Sequence, residues 1–257
     1  MTGLPDGIAL ITGATAGIGA EFAEQLASRG HSLVLVARDL PRLEEKAGQL
    51  RSRWGVNVEV LQADLRDDDG VTRVLDRLRQ SAEPVSVLVN NAGYGLPKSF
   101  TDNSLEDEMK LATILLNVPL ALSHAVLQGM LERGSGGIIN VASVAGFTPR
   151  STYGALKAAV ISFSRWANFA YRKRGVKVTA LCPGFVHTEF HDRMGMDKTT
   201  VPRWMWLHPE AVVESALKDL AAGNAVSIPS RRYKVLSFVA RHAPSSLVAS
   251  LAASQGA

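Results

Sequence analysis

Residues 8 to 30 constrain the fold more than any other stretch of the chain. Ile8 to Thr12 is a short apolar run with strand character, and Gly13-Ala-Thr-Ala-Gly17-Ile-Gly19 follows it directly. A helical pattern through Phe22, Ala23, Leu26 and Ala27 then closes at Gly30. Strand, glycine-rich turn and helix in immediate succession is the context that gives such a motif meaning. Glycines let the backbone approach a pyrophosphate, and the helix N-terminus offers free N–H groups and the positive end of its dipole. The spacing is Gly-x-x-x-Gly-x-Gly, not the commoner Gly-x-Gly-x-x-Gly, and a plain tight turn is the alternative. On the binding reading, Gly13, Thr15, Ala16, Gly17, Ile18 and Gly19 lie along a dinucleotide.

The alternation continues. Ser32 to Ala37 reads as a second strand, apolar enough to be covered on both faces. Leu40 to Arg53 is an amphipathic helix, Val56 to Gln62 a third strand, Asp67 to Gln80 a helix and Val85 to Val89 a fourth strand. Leu105 to Arg133 is a long helical stretch with Pro119 inside it, where a missing backbone donor predicts a kink. Strands at 137–142 and 175–181, a helix at 153–174, another opening at Pro209, and a short strand at 225–229 complete the series. The pattern predicts an α/β fold: a doubly wound, Rossmann-like parallel sheet of about seven strands with helices on both faces. At 257 residues, with 46% hydrophobic content and no linker or repeat, one domain over 1–257 is expected. Its dinucleotide half is about 8–93, its catalytic half about 105–190, and a substrate lid with the C-terminal segment fills 190–257.

At the end of the second strand, a free ribose 2′-hydroxyl would want an acidic acceptor. The chain has Ala37 there, then Arg38, which suits a 2′-phosphate through charge-assisted hydrogen bonds. NADP(H) is therefore favoured, with NAD(H) possible. Asp39 either pairs with Arg38 or reaches a ribose hydroxyl. Asp64, followed by Leu65, either accepts from an adenine amino group or caps the next helix. In Asn90-Asn91-Ala92-Gly93, small residues let the backbone pass close to a cofactor at Asn91, Ala92 and Gly93. Asn90 at least equally stitches strands together.

Ser143, Tyr153 and Lys157 carry the chemistry. If Tyr153 opens a helix, Lys157 lies one turn later on the same face, about 5–6 Å away between Cβ atoms. A free tyrosine titrates near about 10, too high for easy proton transfer at neutrality. A cation at about 4 Å, at an effective dielectric of about 20, favours the phenolate by up to about 4 kcal/mol. Lys157 is thus expected to pull the Tyr153 pKa down. Ser143, before the bend at Gly146 and Pro149, would face the tyrosine and donate to a carbonyl oxygen.

Together, Thr12-Gly13-x-x-x-Gly17-Ile18-Gly19, Asp64, Asn90-Asn91-Ala92-Gly93, Ser143, Tyr153-x-x-x-Lys157 and Pro183-Gly184 resemble the short-chain dehydrogenase/reductase family, in its compact single-domain branch. The motifs fall in family order across 8 to about 190. The resemblance implies a catalytic asparagine, matched by Asn117 in Leu-Leu-Asn-Val-Pro-Leu, holding a water that links Lys157 to solvent. It also implies that Lys157 and Tyr153 touch the nicotinamide ribose, and that Pro183, Gly184, Val186 and Thr188 lie near the nicotinamide carboxamide. The helices bearing Asn117 and Tyr153 are implied to form a homodimer or homotetramer interface. The ten-residue step from Ser143 to Tyr153 is shorter than the family's dozen or so, which alters the pocket wall but should still reach.

Phe190 to Leu207 carries Met194, Met196, Trp204, Met205 and Trp206, suiting a mobile lid over a hydrophobic carbonyl or alcohol, or equally a loop on the core. The apolar Val235–Ala253 tail would cover the pocket, join subunits or touch a membrane peripherally. Cys182 alone excludes an internal disulfide and fits a reducing, cytoplasmic compartment. A net charge of +4 with interspersed signs gives no support for nucleic acid, and no metal-ligand spacing or secretory signal is found. No run of 18 apolar residues predicts a membrane span. The sequence therefore predicts an oxidoreductase interconverting a ketone or aldehyde and an alcohol. The alternatives are a non-catalytic dinucleotide sensor, an NAD-dependent dehydrogenase of the same fold, and an epimerase that uses the cofactor transiently.

Overall fold

The computed structural model describes residues 3–149, 151–190 and 201–242. Seven parallel strands form one sheet in the order β3-β2-β1-β4-β5-β6-β7. They are β1 (Ile8–Thr12), β2 (Ser32–Ala37), β3 (Val58–Gln62), β4 (Val85–Asn90), β5 (Gly136–Val141), β6 (Val176–Leu181) and β7 (Val226–Ser227). The helices between them are α1 (Gly17–Ala27), α2 (Leu40–Trp54), α3 (Asp68–Arg79), α4 (Leu105–Ala112), α5 (Val118–Glu132), α6 (Thr152–Tyr171), α7 (Pro209–Ala222) and α8 (Arg231–His242).

Alternate strand residues supply the two cores, as a two-residue period requires. Ala9, Ile11, Leu33 and Leu35 pack against Phe22 and Leu26 of α1, Leu43 and Leu50 of α2, and Val212 and Leu217 of α7. Leu10, Val34, Leu88 and Ile138 face Val74 of α3 and Leu122, Val126 and Met130 of α5 on the other side. Every residue of β4 is buried, which explains why the central strands read as unbroken apolar runs. The strand order reverses between β1 and β4, so a crevice opens beyond their carboxyl ends.

Two sequence expectations change in detail. The kink expected at Pro119 is a π turn, Thr113–Asn117, in which the Val118 N–H donates to the Thr113 carbonyl. Pro119 cannot donate to the residue four back and its ring crowds that carbonyl; a locally widened helix absorbs both effects. The whole stretch Leu105–Arg133 has the length and composition of a membrane-crossing helix. Its apolarity is accounted for by burial, since Leu111, Leu115, Val118, Leu122, Val126 and Met130 belong to the core. The seventh strand is also shorter than expected, at Val226–Ser227.

A buried polar chain crosses the centre of the sheet. Asn90 Nδ2 donates to Asn140 Oδ1 (2.8 Å) and Ser123 Oγ (3.2 Å), and Asn140 Nδ2 donates to Ser164 Oγ (2.9 Å). These bonds tie β4 to β5, α5 and α6, and Asn90 thereby takes the stitching role. At the opposite end of the sheet, His31 is buried with Nδ1 3.1 Å from the Gly7 carbonyl oxygen. Burial lowers its pKa below 6.5. The folded protein then binds fewer protons than the unfolded chain, so stability is complete above about 6.5 and declines as pH falls through the folded value. Urea midpoints measured from pH 7.5 to 5 should fall more steeply for the wild type than for His31→Gln.

Candidate active site

The β1–α1 turn is built as a close-approach surface. Gly13 and Gly17 have φ of +67° and +53°, which only glycine adopts without strain. A Cβ on Gly19 would run into the Gly13 carbonyl oxygen and Asn91 Nδ2, while one on Gly17 would lie 2.9 Å from Thr188 Cγ2. Ala16 is extended and provides no side-chain cap, and the first turn of α1 holds no acidic residue. The N-terminal N–H groups of α1 thus meet no side-chain competitor from the cap, and their dipole suits an anion. Thr15, Ala16 and Ile18 are half-buried around this turn.

The neighbouring strand end is fastened to it. Thr12 Oγ1 donates to the Val89 carbonyl (3.3 Å) and accepts from the backbone N–H groups of Asn91 (2.9 Å) and Ala92 (3.0 Å). Asn91 Nδ2 donates to the Thr12 carbonyl (2.9 Å) and the Gly13 carbonyl (3.2 Å). The amide nitrogen of Asn91 is therefore a staple between β1 and β4. Gly93 remains exposed beside it.

At the β2 end, Asp39 accepts from the Arg42 backbone N–H (3.1 Å) and caps α2, so its carboxylate is engaged there. Arg38 is 56% exposed, with Nη1 4.0 Å from Asp64 Oδ2. Arg66 holds that same carboxylate through Nη2 (2.6 Å) and Nε (3.0 Å), and this hydrogen bonding keeps the Asp64 pKa below its ordinary value. Asp64 does not cap α3, whose N-cap is Asp67. Leu65, expected at the cofactor, is buried in the core.

Ser143 leaves β5 in extended conformation and opens a 3-10 turn, Val144–Phe147, its Oγ accepting from the Ala145 N–H (3.1 Å). Ser151 caps α6 by accepting from the Gly154 N–H (3.2 Å). This compact turn lets the short connection reach, for Ser143 and Tyr153 are hydrogen-bonded through their side chains. Lys157 Nζ donates to the Val141 carbonyl (2.6 Å) and lies 5.6 Å from the centre of the Tyr153 ring. The π turn packs against α6, and Asn117, its last residue, is exposed.

The electrostatics correct the sequence argument. Lys157 was expected to draw the Tyr153 pKa down. Burial instead pushes the phenol up to about 12, opposed by its bond to Ser143. Lys157 sits over the ring and is only 6% exposed, so its own pKa falls to about 8 through burial. Desolvation outweighs mutual attraction because both groups are withdrawn from water. Tyr153 is consequently a protonated donor at neutral pH, hydrogen-bonded to a hydroxyl.

Beyond β6, the Val144 N–H donates to the Pro183 carbonyl (3.0 Å), joining this loop to the Ser143 turn. A Cβ on Gly184 would run into the ring of Tyr233. Tyr233 Oη donates to the Met205 carbonyl (2.8 Å) and accepts from the Phe185 N–H (3.1 Å), so α8 braces this loop. Sequence reading did not single out Tyr233; its signal was a lone aromatic in the basic Ser230–Lys234 stretch. Val186 is buried and bridged to Leu207, and Thr188 meets Gly17 across the crevice. The Phe190 ring lies 6.1 Å from that of Tyr153, and Phe185 lies 5.6 Å from Trp206. His187 stacks on Trp206 at 5.0 Å, and Cys182 is a buried thiol pushed up to about 12. Met194 and Met196 lie outside the described residues. Of the remaining lid residues, Trp206 is buried and Trp204 is exposed.

The description of short chain dehydrogenases matches residues 7–199. The chain belongs to the short-chain dehydrogenase family. It is 34% identical over 220 residues to the very-long-chain 3-oxoacyl-CoA reductase of Anas platyrhynchos, covering 81% of this chain and 67% of the relative. A short-chain dehydrogenase from Sphingobium yanoikuyae, solved in complex with NADPH, superposes with a TM-score of 0.84 at 38% identity, covering 91% of this chain and 93% of that one. The bulky-bulky ketone specific alcohol dehydrogenase from Comamonas testosteroni superposes with a TM-score of 0.79 at 33% identity, covering 91% of each chain. This short-chain dehydrogenase is accordingly an oxidoreductase of the carbonyl/alcohol type. Among the described residues, no cluster of His, Cys, Asp and Glu has the arrangement of a metal site.

Proposed function

We propose that this short-chain dehydrogenase uses NADP(H) to interconvert a hydrophobic ketone or aldehyde with its alcohol. The observation that carries the proposal is that Ser143, Tyr153 and Lys157 meet, with the Ser143 side chain bonded to that of Tyr153 and Lys157 Nζ over the Tyr153 ring, 5.6 Å from its centre. These groups and the Gly13–Gly19 turn follow the carboxyl ends of two parallel strands, β5 and β1, at the same edge of the sheet.

The cofactor would lie along Gly13, Thr15, Ala16, Gly17, Ile18 and Gly19, past the Asn91–Gly93 backbone, and reach Pro183, Gly184, Val186 and Thr188. The uncapped α1 N-terminus and the glycine surface suit its pyrophosphate. When bound, it supplies or accepts the hydride. The protein's own part is proton handling and orientation. Ser143 Oγ donates to the substrate oxygen and fixes it beside Tyr153. As negative charge develops on that oxygen, Tyr153 transfers its phenolic proton to it. Lys157, as ammonium, stabilises the resulting phenolate and would hold the nicotinamide ribose of the bound cofactor. Asn117, exposed at the end of the π turn, holds the water through which Lys157 exchanges protons with solvent. Alcohol oxidation reverses each step.

Arg38 supports the NADP(H) preference, since Asp39 is engaged as a helix cap and Asp64 is held by Arg66. Arg38→Ala should raise the KM for NADPH about tenfold or more and leave the KM for NADH nearly unchanged. Equal effects on both would remove the 2′-phosphate role. Phe190 beside Tyr153, together with the bulky ketones and long acyl thioesters named for the relatives, supports an apolar substrate. Exposed Leu105 and Met109 on α4, and Trp166 and Phe169 on α6, support a homodimer or homotetramer through these helices. The deciding experiment is a panel of carbonyls and alcohols with each nicotinamide cofactor, followed by absorbance. No oxidation of NADPH with any bulky apolar ketone, despite measured NADPH binding, would favour the dinucleotide sensor instead.

A further inference from the structure

Charge is divided unevenly along the chain. No aspartate or glutamate occurs between Glu132 and Glu189, nor after Asp219, so all 24 acidic residues lie elsewhere. The two acid-free stretches supply α6 and α8. Arg172, Lys173 and Arg174 close α6, and α8 carries Arg231, Arg232, Lys234 and Arg241. These helices meet at the surface. Arg165, Arg172 and Arg241 line one groove of about 1010 Å³ together with Phe147, Trp166 and Ala240, and among the described residues no carboxylate lines it. The Arg241 guanidinium stacks on the Phe147 ring at 4.0 Å.

The middle of the outer side of α8 is apolar where a surface helix is ordinarily polar, with Arg231 at one end of that side and His242 at the other. Only Tyr233 and Ser237 are buried, one turn apart, and they dock the helix on the loop beyond β6. Val235 (62% exposed), Phe238 (63%) and Val239 (52%) point the other way. At about 100° per residue, Val235 and Phe238 sit opposite the buried stripe, with Lys234 and Arg241 flanking them on one side and Arg232 beside Val239 on the other. An apolar stripe with cationic flanks is the pattern of a helix that lies in the headgroup region of a bilayer.

We propose that α8, with Arg172–Arg174 at the end of α6, docks on an anionic lipid surface. Val235, Phe238 and Val239 enter the headgroup–acyl boundary, and the surrounding cations meet lipid phosphates. The absence of acidic residues from both stretches removes the repulsion such a surface would impose. Because Tyr233 joins α8 to the Phe185 and Met205 backbone, docking sets the loop beyond β6 close to the membrane. An apolar carbonyl dissolved in the bilayer then has a short path to the crevice.

The test is co-sedimentation of the full chain with vesicles of phosphatidylcholine alone or with 30% phosphatidylserine, at low and high salt. The expected result is at least tenfold more bound protein on the anionic vesicles at low salt, reversed by high salt. Val235→Glu/Phe238→Glu should lose that binding about tenfold and keep wild-type turnover of a soluble ketone. Equal sedimentation of wild type and variant would overturn the proposal, as would no sedimentation of the wild type. A variant that lowers the oligomer mass in light scattering would assign the face to a second copy. Binding seen only after ending the chain at His242 would assign it to the chain's own residues 243–257. Either result also overturns lipid docking.

Discussion

Tyr153→Phe should lower kcat for carbonyl reduction by about a hundredfold to ten-thousandfold while leaving NADPH affinity within about twofold. The substitution removes one oxygen and keeps the ring between Phe190 and Lys157. What is lost is the proton donor and its bond to Ser143. The phenol is protonated across the physiological range, because burial holds its pKa near 12, so it is ready to donate to an oxygen gaining negative charge. Isothermal titration with NADPH and stopped-flow absorbance with a reactive bulky ketone separate the two quantities. Turnover within tenfold of wild type, with native binding, would refute Tyr153 as the donor.

Lys157→Met should make the protein more stable and nearly inactive. The ammonium is buried, and its pKa has dropped from 10.5 to about 8. At about 1.4 kcal/mol per unit, keeping it charged at pH 7 opposes folding by about 3 kcal/mol. Methionine also forfeits the charged bond from Nζ to the Val141 carbonyl, worth about 1.5–3 kcal/mol, so the net gain is at most about 1.5 kcal/mol. The sign of the pH dependence follows from the lowered folded value. The unfolded lysine holds its proton up to about 10.5 and the folded one only to about 8, so wild-type stability rises with pH between them. The advantage of the variant should be full below pH 8 and fade towards 10.5, read from guanidinium midpoints at fixed ionic strength. In the active protein, kcat/KM for reduction should decline above about 8 as the ammonium is lost. A variant less stable than wild type at pH 7 would show that the lysine is not held at a cost.

Much of this arrangement is legible in the chain itself. Apolar runs such as Val85–Val89 announce buried parallel strands because both faces need the same residues. The turn from Gly13 to Gly19 announces its shape through spacing, since close backbone approach excludes a Cβ. The Tyr153 and Lys157 pair was legible as a one-turn step, but its electrostatics were not. Local spacing brings the charges together, whereas the depth at which α6 meets β5 fixes how much water they lose. Asn91 and Asp39 were ambiguous for a related reason. Their side chains had several chemically suitable partners, and only tertiary geometry sends one to the Thr12 and Gly13 carbonyls and the other to the Arg42 N–H. The burial of the Leu65 side chain was not legible, because a residue beside a strand end faces either crevice or core and only the packing decides which. Tyr233 was invisible because Gly184 meets it from almost fifty positions earlier in the chain.

The π turn at Thr113–Asn117 has a consequence for how this segment tolerates length changes. A helix that closes one ring over five residues instead of four carries a surplus position, and each residue of an α-helix turns the next by about 100°. Excising one residue inside it would close the helix over four residues again and leave both flanks facing as they do, whereas a deletion elsewhere between Leu105 and Glu132 would swing every side chain on one flank by more than a quarter turn. The widened turn should therefore tolerate the loss of one residue better than the regular helix on either side.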